Sequence, residues 1–171
     1  MLKATVLILL LLGFGIIAFQ FYPEPTLPVS CVIDSIAVHK KERKLYVYSS
    51  GNLMKTFRIS LGKNPIGHKL EEGDKKTPEG RYFIISRNDK SRYHKNLGIS
   101  YPNEKDKALA KKLNKKPGGD IKIHGLKNGS GNISRLQRMK DWTNGCIALT
   151  DSEVDELYNH VRIGSPISIF P

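Results

Sequence analysis

The sequence predicts a mainly β domain with α additions, a sandwich or barrel that carries two helices on its sheet. Three observations lead there. Short apolar runs with period-two alternation recur between clusters of Gly, Pro, Asn and Ser. Convincing helical spacing is confined to two segments. No repeat or low-complexity run interrupts the series, which fits one layered domain.

The elements follow in order. Residues 36–38 and 45–48 read as strands, 49–52 as a turn, and 53–61 as a strand that pairs back in a hairpin. Residues 62–80 form a long loop rich in Gly, Pro and Lys, a length that usually marks function, here a lid. Thr77-Pro78-Glu79-Gly80 closes it as a turn. Residues 81–85 and 97–101 are the next strands. Asn103 caps a basic helix whose apolar face is Ala108, Leu109 and Leu113, and Asn114 with Pro117-Gly118-Gly119 stops it. Residues 120–124 alternate as a strand ending at His124. Thr150 and Glu153 make a capping box, and Val154, Leu157, Tyr158 and Val161 form the stripe of the second helix. Residues 167–170 are the last strand.

The chain has 171 residues, 39% hydrophobic and 26% charged, enough for one domain with its own core. The 28 Lys and Arg against 16 Asp and Glu give a net charge of +12, which favours an anionic partner: nucleic acid, anionic lipid or an acidic wall polymer. Residues 1–22 read as a signal-anchor or signal peptide. Lys3 precedes an uncharged stretch, 4–23, with its apolar core at 6–19. That core is long for a cleaved signal and lacks a clean cleavage site, so an uncleaved membrane helix is preferred. Lys3 and Glu24 on its flanks put the amino terminus inside and the domain outside. Residues 23–32, with Pro23, Pro25 and Pro28, are a stiff spacer, and the domain occupies 33–171. Cys31 lies in the spacer. Pro28 stands where a lipoprotein signal has Leu, so an unmodified cysteine is preferred.

Cys146 is the chemically suggestive residue. It follows Gly145, which permits an unusual backbone angle, and it precedes a capped helix whose first amides favour negative charge. His124, at a strand end before Gly125, is the natural base for its thiol. The alternative is an inert buried cysteine. The histidines are scattered and no metal signature appears. No phosphate loop and no other cofactor motif appears either.

Ile123-His124-Gly125 followed by Thr143-Asn144-Gly145-Cys146-Ile147 resembles the signature of the L,D-transpeptidase catalytic domain (YkuD-like) family. Residues 61–69 and the Thr-Pro-Glu-Gly turn leading into Arg81-Tyr82 are similar to it as well. The resemblance implies an L,D-transpeptidase-type β-sandwich and a thioester mechanism on peptidoglycan stem peptides, in the periplasm or its equivalent. It implies Cys146 as nucleophile and His124 as base, with amides around Gly145 and Cys146 holding the oxyanion, Thr143 supporting the loop and the Gly125 carbonyl orienting the imidazole. Asp120 is a second candidate to orient it. Two positions depart from the family pattern: Asn144 replaces a second His, and Ala148 replaces an Arg. Arg135, Arg138 and Lys140 are candidates to replace that Arg, or else a solvated basic face. Arg92, Tyr93 and His94, with Asn144, are candidates to line the cleft, while His39, His68 and His160 read as bystanders.

The preferred reading is a cysteine-dependent L,D-transpeptidase anchored to the inner membrane by its leader. A hydrolase that trims stem peptides, or frees proteins attached to them, shares its acyl-enzyme. A non-catalytic wall-binding module accounts for the charge but not for the placement of Cys146. Nucleic acid is disfavoured, since the basic residues are dispersed and the leader exports the chain.

Overall fold

The computed structural model describes residues 5–8, 10, 11, 13–15, 22 and 24–171. Strands β1 (Ser35–His39), β2 (Lys44–Ser49) and β3 (Asn52–Arg58) form a meander. Their alternation buries Ile36, Val38, Leu45, Val47 and Phe57. Next come β4 (Gly80–Ser91), β5 (His94–Ile99), helix α1 (Glu104–Lys112) and β6 (Lys122–His124). A 3-10 stretch (Gly131–Met139), β7 (Ile147–Ala148), α2 (Asp151–His160) and β8 (Pro166–Phe170) complete the chain.

The strands make one sheet in the order β3-β2-β1-β8-β4-β5-β6-β7. Strand β4 turns it, since Gly80–Phe83 pairs with β8 while the stretch from Ile84 pairs with β5. Its register shifts between Ile84 and Ser86, and such irregularities bend a strand. The curl brings the two ends together. Beyond β3, Ser60 and Ala148 exchange backbone hydrogen bonds of 3.0 and 2.8 Å. The Thr143 amide donates to Leu61 O at 3.1 Å, and the Lys63 amide to Thr143 O at 3.0 Å. The expected sandwich is therefore a single sheet curled until its edges meet.

Helix α2 follows its sequence pattern. Thr150 and Glu153 form the capping box, and Val154, Leu157 and Val161 are fully buried with Tyr158 packed at their edge. Helix α1 corrects the expectation. Leu109 and Leu113 are 38% and 43% exposed, and the buried residues are Ala110 and Asp106. The cap explains this. Asp106 reaches back to the Asn103 amide at 2.8 Å while its other oxygen accepts from the Tyr82 hydroxyl at 3.2 Å. A carboxylate with those partners faces inward and turns the leucines out.

The 62–80 loop is bound to the sheet rather than free to close as a lid. Lys40 is 2% exposed, and its ammonium donates to Gly67 O (2.7 Å), Thr77 O (3.0 Å) and the Glu79 carboxylate (2.7 Å). Burial pulls the Lys40 pKa below its ordinary value, while the Glu79 carboxylate opposes that shift. Asp74 accepts from the amides of Leu70, Glu71 and Lys76 and from Lys69. Burial would raise its pKa, but the Lys69 ammonium and those amides hold it below the usual carboxylate value.

In the spacer, Leu27 and Cys31 are buried against the core. The described leader residues 5–8, 10, 11 and 13–15 are helical. Among the described residues, no helix is long and apolar enough to cross a membrane. The anchor expected over 1–22 also involves residues 1–4, 9, 12 and 16–21, which lie outside the described residues.

Removing the buried cation leaves Glu79 and two carbonyls unpaired. Lys40→Ala is expected to lower the unfolding free energy by about 3 kcal/mol and to speed amide exchange across 62–80. Urea denaturation and hydrogen exchange measure both, and an unchanged midpoint would mean that the loop is held without Lys40.

Candidate active site

Strands β6 and β7 run parallel, with Ile123 opposite Ile147 and His124 opposite Ala148. His124 ends β6, and Cys146 immediately precedes β7. This pairing brings both residues to one cleft of about 700 Å³.

His124 is 5% exposed, and its Nδ1 lies 2.7 Å from Gly125 O. A carbonyl only accepts, so Nδ1 carries the proton and Nε2 keeps a lone pair. The Tyr93 ring packs at 4.7 Å and the Trp142 ring stands edge-on at 5.6 Å, which confines the imidazole. Burial lowers the His124 pKa below its ordinary value, the Gly125 carbonyl opposes this, and the Lys122 charge adds to it. The Cys146 thiol donates to Asp120 O at 3.7 Å, and burial raises its pKa above the ordinary thiol value. Both shifts favour the uncharged forms of the two groups. The helix-start effect expected for the thiol is absent, because β7 separates Cys146 from α2, whose Thr150–Glu153 box caps its own amides.

The turn before Cys146 is held by Thr143. Its hydroxyl accepts from the Gly145 amide at 3.1 Å and donates to Cys146 O at 2.7 Å. The Gly145 amide is thus engaged and not free for an oxyanion. Gly145 has φ 131°, and a Cβ there would lie 2.7 Å from Lys76 O. Gly125 is confined too, since a Cβ would meet Asp151 Oδ1 at 2.6 Å. Asp120 does not orient the imidazole: its carboxylate pairs with Lys122 at 2.7 Å.

Arg92, Tyr93 and Asn144 line the cleft. His94 does not. It turns away at the tip of the β4–β5 hairpin to pair with Asp155 at 2.8 Å. Arg135 and Arg138 also lie elsewhere: both meet Glu24, at 3.2 and 3.4 Å, and Arg138 meets Glu153 at 2.7 Å. They are neither a solvated face nor cleft residues, and Lys140 is exposed outside the cleft. Ala148 is fully buried beside Ser60, so an Arg could not replace it without disrupting the sheet closure. The cleft instead carries Lys63, Lys90 and Arg92, which make no ion pair among the described residues, together with Lys122.

Sequence reasoning missed Lys63, Lys90, Lys122, Trp142 and Asn96 as cleft residues. One signal was available: Trp142 is the sole tryptophan and adjoins the cysteine motif.

The family model for the L,D-transpeptidase catalytic domain (YkuD) matches residues 33–169. The chain belongs to this L,D-transpeptidase family. It is 29% identical over 151 residues to YafK of Escherichia coli strain K12, a candidate L,D-transpeptidase, covering 80% of this chain and 53% of that one. The solved structure of the helical cell shape determining protein Pgp2 from Campylobacter jejuni matches with a TM-score of 0.62 at 27% identity, covering 82% of this chain and 48% of that one. Bd1075 of Bdellovibrio bacteriovorus matches with a TM-score of 0.54 at 25% identity, covering 85% and 54%. The chain thus spans about half the length of these relatives. The mainly β curled sheet is the fold of this L,D-transpeptidase family.

Shifts that favour the uncharged thiol and imidazole have a pH signature. Alkylation of Cys146 in the full chain, followed by peptide mapping, is expected to rise with pH through a midpoint above the ordinary thiol value of about 8.5. A plateau already reached at neutral pH would mean a thiolate–imidazolium pair instead.

Proposed function

We propose that this protein is a peptidoglycan L,D-transpeptidase, in which Cys146 attacks a stem-peptide carbonyl and His124 is the base. The observation that carries this is the joint presence of Cys146 and His124 in one cleft, with Nε2 as the free imidazole nitrogen. His124 Nε2 takes the thiol proton as Sγ attacks, then gives it to the leaving amine. Gly125 O stabilises the imidazolium that forms. The Cys146 amide, which makes no hydrogen bond among the described residues, is the oxyanion donor, since Thr143 occupies the Gly145 amide. Lys63, Lys90 and Arg92 suit the carboxylates of a stem peptide.

An amine then accepts the acyl group; acceptance by water makes the same enzyme a hydrolase. The likeness to Pgp2, named as a cell shape determining protein, supports a role in wall shape. The uncharged stretch 4–23, with its apolar core at 6–19, supports an envelope location with the domain outside the membrane.

Intact-mass spectrometry of the full chain in detergent, with a disaccharide-tetrapeptide or a carbapenem, tests the nucleophile. An adduct is expected on the wild type, lost in Cys146→Ala and formed about 10²–10⁴-fold more slowly in His124→Ala. Absence of any adduct on folded protein with a titratable thiol would refute the reading. With an acceptor peptide present, a cross-linked product marks transfer, and free acid alone marks hydrolysis.

A further inference from the structure

Asn96 is 4% exposed on β5, and its Oδ1 has no hydrogen-bond partner among the described residues. A buried polar atom left in this state costs about 1–3 kcal/mol, so its retention calls for a reason. Its position suggests one. Asn88, Asn96 and His124 are register partners across β4, β5 and β6. Directly opposed residues on neighbouring antiparallel strands face the same side, with Cβ atoms about 5 Å apart. All three line the cleft. Across β6, His124 has Asn96 opposite it on β5 and Ala148 opposite it on β7, and Cys146 stands just before β7, two residues ahead of that Ala148.

We propose that Asn96 Oδ1 seats the acyl acceptor, the protic nucleophile that resolves the Cys146 acyl-enzyme, beside His124. This rests on the thioester reading above. The acyl group presents its reacting carbonyl as an acceptor, so it offers Oδ1 no donor at that point. A neutral amine or a water does offer one. Each gives one hydrogen to His124 Nε2 and has another to donate to Oδ1 once the buried Asn96 amide turns towards the cleft. As the nucleophile attacks, the new bond forms to the thioester carbon and its proton passes to Nε2. The C–S bond breaks, and Sγ leaves and recovers that proton from the imidazolium. The second hydrogen stays on the nucleophile throughout, hydrogen-bonded to Asn96. An amide suits this place better than a carboxylate, because it accepts a hydrogen bond without holding an amine in its unreactive ammonium form.

The test is single-turnover decay of the acyl-enzyme, followed by intact mass on the full chain, with and without an acceptor tripeptide. Loaded from the disaccharide-tetrapeptide, Asn96→Leu is expected to deacylate about ten-fold more slowly relative to its acylation than wild type does, the rate equivalent of one hydrogen bond. Asn96→Asp, which keeps an oxygen there, should hydrolyse its acyl-enzyme faster than Asn96→Leu. Slowing in the amine arm alone identifies a seat for amines, and slowing in both arms a seat that also holds water. The melting temperature separates this from a packing role. Removing an unpaired buried polar atom should leave Asn96→Leu at least as stable as wild type. Wild-type deacylation rates in Asn96→Leu, or a lower melting temperature, would overturn the proposal. A wild type that takes no adduct would instead remove the thioester reading beneath it.

Discussion

The contact between Ser60 and Ala148 is the constraint on which the site depends. Strand β7 has only two residues, Ile147 and Ala148, and could not hold its place alone. It is gripped on one side by β6 and on the other by the chain leaving β3. That grip places Cys146 just before β7 and His124 at the end of β6. The approach is backbone against backbone. A Cβ on Gly62 would lie 2.1 Å from Lys75 O and 3.0 Å from the Gly145 Cα. Two glycines from distant parts of the chain therefore allow the 62–80 loop to form the wall behind the cysteine turn, and the buried Lys40 holds that wall to β1.

Burial sets the resting state of the pair. It disfavours charge on both the thiol and the imidazole, so proton transfer between them awaits an event that makes charge separation easier. In the mechanism proposed above, substrate binding supplies such an event, because a carbonyl in the cleft gives the developing negative charge a place to go. Preorganised dipoles then matter more than the ground-state pKa of either group. The cleft lining combines Lys63, Lys90 and Arg92, which make no ion pair among the described residues, with the rings of Tyr93 and Trp142.

How much of this could be read from the sequence differs from element to element. Helix α2 was legible because its cap and stripe lie within one stretch of chain and agree with each other. Helix α1 had equally plain caps, but its leucines face solvent, since the capping carboxylate of Asp106 also binds Tyr82 from another strand. Arg135 and Arg138 were close to the cysteine in sequence and were weighed for the cleft, yet Glu24 and Glu153 take them. Cys146 and His124 were found through the order of their motifs. Asn96 was passed over, because a lone asparagine in a strand has no spacing that sets it apart.

By itself the sequence determined most of the strand segments, both helices with their caps and the identity of the family, and it singled out Cys146 and His124 as candidates. These depend on periodicity, on hydrogen bonds that close within a few residues, and on motifs that survive as short strings. Only the tertiary structure decided the closure of the sheet, the burial of the His124 and Cys146 side chains, the engagement of the Gly145 amide and the row from Asn88 to His124. Each of those depends on strands or loops far apart in the chain. The position of a residue across a sheet is set by register and curl, and neither leaves a local mark on the sequence.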